Sequence, residues 1–330
     1  MKRLEVRGQG SEDRKQQAGD RRQWLVLAGA ILLLAGCAAP KPQFTDEDWV
    51  SNVTTGRGCY ERGDLRRAAD AFARAQQRAR ALDDADALAV AAVNRAVCLL
   101  PLDRAEEALA GLREALADDR VSESRRLELR VTAARAELAA GYADQARTEA
   151  DLALESDLSL LLRAQALLVK AGADLADHKA PGAGRTLQEL SAAQWADLPA
   201  RLRAEQAELE AQISAVLESP GEALDWQDNA VARWREAGRL PEMARALAEA
   251  GRLARAAGDL SGACNRLRRA AKSLWAQGVY NEAVRTLEEG VACAEQLEDE
   301  DIGRKMAELL VTFQEEWRQK GHEETEATDD

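Results

Sequence analysis

GRGCYERGDLRRAADAFARA, residues 56–75, places Gly56, Gly63, Ala68, Phe72 and Ala75 at spacings that return along most of the chain. Around it, residues 49–318 hold few β-branched runs and little apolar–polar alternation, and aromatic residues make up only 4% of the chain. Alanine, leucine, arginine and glutamate dominate, and all four are good helix formers. A helix-rich chain with recurring small residues has to be tested for internal repetition before anything else.

The stretch resembles a tetratricopeptide repeat. In that family a small residue in a first helix and an alanine twelve positions later in a second let two antiparallel helices approach closely, and a large apolar residue wedges in four positions further on. Sliding the pattern along the chain gives seven matches. The small residue is Gly56, Ala96, Ala134, Ala171, Ala211, Gly251 and Val291 in turn. The second-helix alanine position holds Ala68, Ala108, Ala146, Ala183, Ala223, Ala263 and Gly303, and the wedge position holds Phe72, Leu112, Ala150, Leu187, Gln227, Leu267 and Ala307.

Proline and glycine test the phase independently. Pro101, Pro181, Pro199, Pro220 and Pro241 fall between expected helices or in a first turn, where a missing N–H is tolerated. Gly63, Gly141 and Gly258 each stand five residues before the second-helix alanine, in the turn; Asp103 takes that place in the second repeat. Repeats five and seven depart most, with Gln227 and Ala307 at the wedge and Val291 at the small position, so these units also fit other helical hairpins such as the Sel1-like kind. The period near 40 exceeds the usual ~34 of the family, implying longer helices or connections. The resemblance implies an all-α, right-handed α-solenoid of about seven antiparallel hairpins, each burying an apolar face on its neighbour around a concave groove.

The ends carry other signals. A basic stretch (Lys2, Arg3, Arg7, Arg14, Lys15, Arg21, Arg22) precedes an apolar run from Trp24 to Leu34, then Leu34-Ala35-Gly36-Cys37. The run is too short to span a hydrocarbon core of ~30 Å, and it fits the apolar region of a cleavable export signal. The last four residues resemble the bacterial lipobox. That implies lipidation of Cys37, cleavage before it, and a lipid-anchored protein of the cell envelope; Ala38 in place of an aspartate points to the periplasmic face of the outer membrane in a two-membrane bacterium, while in a one-membrane bacterium the anchor would sit on the outer face of the cytoplasmic membrane. An export signal with an incidental cysteine, or a short uncleaved anchor, are the alternatives, and Glu5, Glu12, Asp13 and Asp20 suggest a start downstream of Met1. The expected organisation is a lipoprotein signal over 1–37, a tether over 38–48, the solenoid over 49–318 and an acidic, disordered tail over 319–330.

Charge and motif content narrow the function. The chain has a net charge of −13, and without residues 1–37, which carry seven basic and four acidic side chains, it reaches −16. Such a balance argues against nucleic acid. There is no glycine–lysine pair and hence no phosphate loop. The two histidines, His178 and His322, leave no Ser/His or Cys/His constellation. His178 near Asp174 and Asp177 reads as a solvated loop residue, because a structural metal site wants more N or S ligands. No catalytic residue, metal or cofactor is assigned. Beyond Cys37, the pairs Cys59–Cys98 and Cys264–Cys293 lie on adjacent expected helices and are conceivable disulfides. The spacing of helix axes at 8–10 Å favours free buried thiols instead.

In the tetratricopeptide family, residues flanking the small residue of each first helix line the groove. Carried over, that face holds Val53, Arg57 and Tyr60 in repeat one, Arg135 in repeat three, and Glu208 and Gln212 in repeat five. It continues with Arg245, Arg252 and Arg255 in repeat six and Arg285 in repeat seven. The asparagine and lysine pattern of repeats that clamp acidic chaperone tails is lacking. Arginines clustered in this way suit a partner's carboxylates, although solvated arginines fit the same pattern. The resulting expectation is a non-enzymatic scaffold or adaptor binding a protein or peptide, attached to the membrane through its lipid. By resemblance, such proteins serve pilus, secretion, outer-membrane or cell-wall assembly. The alternative is a periplasmic receptor whose groove closes on a small ligand or peptide.

Overall fold

A computed structural model describes residues 44–326. The expected signal with Cys37, the tether up to residue 43 and the tail from residue 327 lie outside the described residues. All regular structure described is helical, in two compact units divided between Asp177 and His178.

The first unit contains α1 (Glu47–Glu61), α2 (Leu65–Ala81), α3 (Ala85–Leu99), a single 3₁₀ turn (Leu100–Leu102), α4 (Ala105–Leu116), α5 (Glu123–Ala139), α6 (Ala143–Leu154) and α7 (Leu160–Ala176). The second contains α8 (Ala180–Leu187), α9 (Ala192–Ala196), α10 (Ala200–Val216), α11 (Pro220–Glu236), α12 (Leu240–Ala256), α13 (Leu260–Ala276), α14 (Tyr280–Leu297) and α15 (Glu300–Glu326). Each unit stacks antiparallel hairpins so that successive helices pack on one another, the arrangement of a helical solenoid.

The turns explain why the helices stop where they do. Gly63 and Gly258 take φ values of +82° and +86°, which a glycine adopts without a Cβ penalty. Asp64 and Asp259 follow, and their carboxylates accept from the backbone N–H groups of Arg67 and Gly262 at 3.2 and 2.8 Å, capping α2 and α13. Asp103 holds the same left-handed conformation (φ +62°) in the place of the second repeat's glycine. Every proline tested above lies in a first turn, at a cap or in the 3₁₀ turn.

Within the hairpins, the small residue and the wedge meet as the repeat pattern requires. A β-carbon at Gly56 would lie 2.7 Å from Phe72 Cζ, and one at Gly251 would lie 2.8 Å from Leu267 Cγ and 3.3 Å from the Leu267 backbone nitrogen. Phe72, Leu112, Ala150, Leu187, Gln227 and Leu267 are all buried. The polar wedge is satisfied: Gln227 Nε2 donates to the Ala246 carbonyl of α12 at 3.1 Å, tying one hairpin to the next. Helix α3 is apolar enough to resemble a membrane span over Ala85–Leu102, yet it is mostly buried, packed against α2, α4 and α5.

Five features differ from the sequence expectation. In the last hairpin the phase slips by one residue: the buried wedge is Met306, seated over Gly290, while Ala307 and Gly303 are only half-buried. The expected fourth hairpin is divided between the units, with α7 ending the first and α8 starting the second. Pro181, Gly182 and Gly184 accompany an α8 of eight residues, shorter than the second helices α2, α4, α6, α11 and α13. Three residues assigned to the tether belong to the fold, because Asp46 caps α1 through Trp49 N at 2.9 Å and Glu47 and Asp48 form its acidic first turn. Helix α15 continues to Glu326, past the position assigned to the start of the tail; its Glu, Gln and Lys residues sustain a helix already nucleated.

These contacts set opposite expectations for two helical glycines. Gly251→Val drives a branched side chain into Leu267 and its backbone, and should destabilise the chain by about 1–3 kcal/mol. Gly221→Ala in α11, where a β-carbon meets nothing within 4 Å, should stabilise it by up to ~1 kcal/mol. Thermal unfolding followed by circular dichroism at 222 nm reads both; a Gly251→Val midpoint at or above that of the parent would refute the packing.

Candidate interaction face

In the second unit α10, α12 and α14 are the first helices of successive hairpins, and charged side chains at helical spacing lie along them. Glu205 and Glu208 are three apart on α10, Glu242, Arg245, Glu249 and Arg252 follow the same stripe on α12, and Glu282 and Glu289 are seven apart on α14. Long side chains join α12 to α14. Arg245 donates through Nε and Nη2 to Glu282 at 2.6 and 2.8 Å, and Arg252 donates through the same atoms to Glu289 at 2.7 and 3.1 Å. Both pairs are 37 residues apart, so they form equivalent rungs of a ladder. Arg252 also reaches Glu249 at 2.7 Å, and Arg255 donates to Gln296 at 2.9 Å.

Glu208 is the exception on this face. Only 5% of it is exposed. Its Oε1 accepts from the indole N–H of Trp234, itself buried, at 2.7 Å. Burial pushes the Glu208 carboxyl up to about 8; the Trp234 bond pulls it down, and Glu205, Glu242 and Glu249 push it further up. No arginine reaches it. Glu242 is held by Arg239 through Oε1, with an Nε contact of 3.0 Å, whereas its Oε2 is buried without a hydrogen-bond partner. Burial also raises the Glu249 carboxyl, with Arg252 opposing the shift.

The residues carried over from the family divide among several environments. Arg57 on α1 and Arg285 on α14 are exposed, Tyr60 is half-buried against the core of the first unit, and Gln212 is half-buried on α10. Arg135 on α5 is only 6% exposed, so its guanidinium is packed rather than presented. Arg245, Arg252 and Arg255 are engaged by side chains of this same chain, so the face is not the open arginine cluster that a carboxylate-gripping site needs. The glutamates that occupy them were legible only as a 37-residue offset between opposite charges, close to the repeat period. Asp174 and Asp177 both accept from Arg147, and among the described residues no three His, Cys, Asp or Glu side chains are arranged to hold a metal. Cys59, Cys98, Cys264 and Cys293 are buried free thiols; burial pushes Cys264 up to about 12, assisted by its hydrogen bond with Cys293. Trp195 and Trp234 fill the core, while Trp226 is half-buried.

No family model matches the chain, and no curated protein matches it. Among solved structures, it is similar to a tetratricopeptide repeat protein from Parabacteroides merdae, at 13% identity over 81% of this chain and 100% of that one, with a TM-score of 0.43. It is also similar to yeast Tom70, at 14% identity over 93% of this chain and 74% of that one (TM-score 0.46). A Rap protein complexed with competence and sporulation factor is similar at 13% identity, covering 84% of this chain and 78% of that one, with a TM-score of 0.37.

The buried carboxyl has a measurable consequence. Glu208 gains protons on folding, so its contribution to stability is fully present below the unfolded pKa of about 4.3 and is lost as pH rises through about 8. Glu208→Gln keeps an acceptor for Trp234 without the charge. The variant should match the parent near pH 4 and exceed it by the order of 5 kcal/mol near pH 9, read by urea unfolding across that range; a constant difference between the two would show that the carboxyl does not titrate there.

Proposed function

We propose that this chain is an interaction scaffold of the cell envelope, anchored by lipid on Cys37 and presenting the face of α10, α12 and α14 to a polypeptide partner. The observation that carries the polypeptide reading is the spread of charged groups over three successive first helices, with two arginine–glutamate rungs, seven residues apart along each helix, joining α12 to α14. An extended chain crossing the helices meets such a register repeatedly, whereas a small molecule engages a single concave point. The carboxylates of the face are mostly paired with arginine rather than held apart as an acid and a base, which supports binding over catalysis. The envelope location rests on the basic stretch, the apolar run and Leu34-Ala35-Gly36-Cys37, and the lipid on Cys37 would supply the membrane attachment.

Two measurements test the proposal. A photo-reactive amino acid placed at Arg57, Gln212 or Arg285 in the native cell should capture one recurring polypeptide from the Gln212 and Arg285 positions. The absence of any polypeptide adduct from those two overturns the scaffold reading. Cys37→Ser should abolish incorporation of labelled palmitate and release the chain from the membrane fraction; an unacylated, soluble parent protein overturns the anchor.

A further inference from the structure

The second unit holds two thiols, Cys264 near the start of α13 and Cys293 near the end of α14, both buried. These helices are antiparallel neighbours, and one contact fixes their register: a β-carbon at Gly290 would lie 3.4 Å from the β-carbon of Leu267. Cys264 stands three residues before Leu267 and Cys293 three residues after Gly290, so the two cysteines oppose one another about one turn along the same seam. Helix axes at their usual separation hold facing cysteines apart, but here Gly290 lets α14 approach to the β-carbon spacing of about 3.5–4.5 Å that a disulfide needs. The sulfur atoms already meet: the two thiols hydrogen-bond to one another, and Cys293 Sγ donates to the Leu260 carbonyl, four residues before Cys264, at 3.6 Å. Cys59 and Cys98 have no such seam, because they lie on α1 and α3 with α2 packed against both, and Cys59 Sγ accepts from Arg62 at 3.5 Å.

We propose that Cys264 and Cys293 form a disulfide when the chain folds in the presence of a disulfide donor, pinning the start of α13 to the end of α14. The donor is a small-molecule or protein disulfide, RSSR. The thiolate of one cysteine attacks a donor sulfur, giving a mixed disulfide and expelling one RS⁻. The thiolate of the other then attacks the cysteine sulfur of that mixed disulfide, forming the Sγ–Sγ bond and expelling the second RS⁻. The two protons given up by the cysteines end on the two expelled thiolates, so the pair is oxidised by two electrons and RSSR is reduced to two RSH. The exchange belongs to folding. In the open hairpin the thiols are exposed with an ordinary pKa of about 8.5, whereas in the folded unit burial pushes the Cys264 thiol up to about 12 and shuts the donor out. The link closes a loop of about 30 residues and so removes freedom from the unfolded chain. In a cell it needs an oxidising compartment, which the envelope location proposed above supplies; the purified chain tests the link apart from that location.

The test refolds the full chain from urea with a mixture of reduced and oxidised glutathione, blocks the remaining thiols with iodoacetamide, and maps tryptic peptides without reduction. Peptides 256–266 and 286–304, which carry Cys264 and Cys293, should appear joined, at the sum of their masses less two hydrogens. Reducing the linked chain with dithiothreitol should lower its melting midpoint by roughly 5–10 °C. The double variant Cys59→Ala/Cys98→Ala should keep that drop, and Cys264→Ala should lose it. The peptide map is made on the parent, so it decides even where a variant fails to fold. Glutathione or iodoacetamide on both Cys264 and Cys293, a link from either of them to Cys59 or Cys98, a midpoint indifferent to reduction, or an equal drop in Cys264→Ala and the parent overturns the proposal.

Discussion

Two helices can lie close together only where one of them has almost no side chain, and this constraint organises the chain. Gly56 under Phe72, Gly251 under Leu267 and Gly290 under Met306 are the same contact, sixteen residues apart each time, with no room for a β-carbon on the small partner. The close approach buries the alanine-rich second-helix face, and Ala68, Ala108, Ala146, Ala183, Ala223 and Ala263 are all withdrawn from solvent. Each alanine buries little area, so the stability comes from many closely packed contacts rather than from a few large side chains.

The fold was legible because this contact leaves a mark at fixed spacing. Turn glycines and prolines reinforced the mark, since their backbone restrictions act locally and do not depend on neighbours. The slip in the last hairpin shows where such reading fails. Gly290 and Val291 are adjacent, both Gly303 and Ala307 are small, and only the packing of Met306 decides between the registers. Local propensity was equally silent about the division after Asp177, because a compact unit is defined by long-range packing.

The candidate face was less legible, for a physical reason. An arginine on a helix surface reads the same in sequence whether it meets water, a partner or its own chain, and the deciding atom here lies one hairpin away. Glu208 illustrates the same point in reverse. In sequence it is one glutamate among many on a helical stripe, whereas in the fold Trp234 from the next helix covers it and holds one of its oxygens. Long side chains reach across elements, so their chemistry is decided by tertiary structure and not by spacing along one helix.

The Arg245–Glu282 and Arg252–Glu289 rungs also have a mechanical meaning. Both are substantially exposed, so each contributes only on the order of 0–1 kcal/mol and weakens as dissolved ions accumulate. The glycine-to-wedge seams inside the hairpins involve no charge and are indifferent to such ions. The joint between α12 and α14 therefore has two layers: an outer, ion-sensitive pair of rungs, and beneath it the apolar packing of α13 against both helices, which dissolved ions leave untouched.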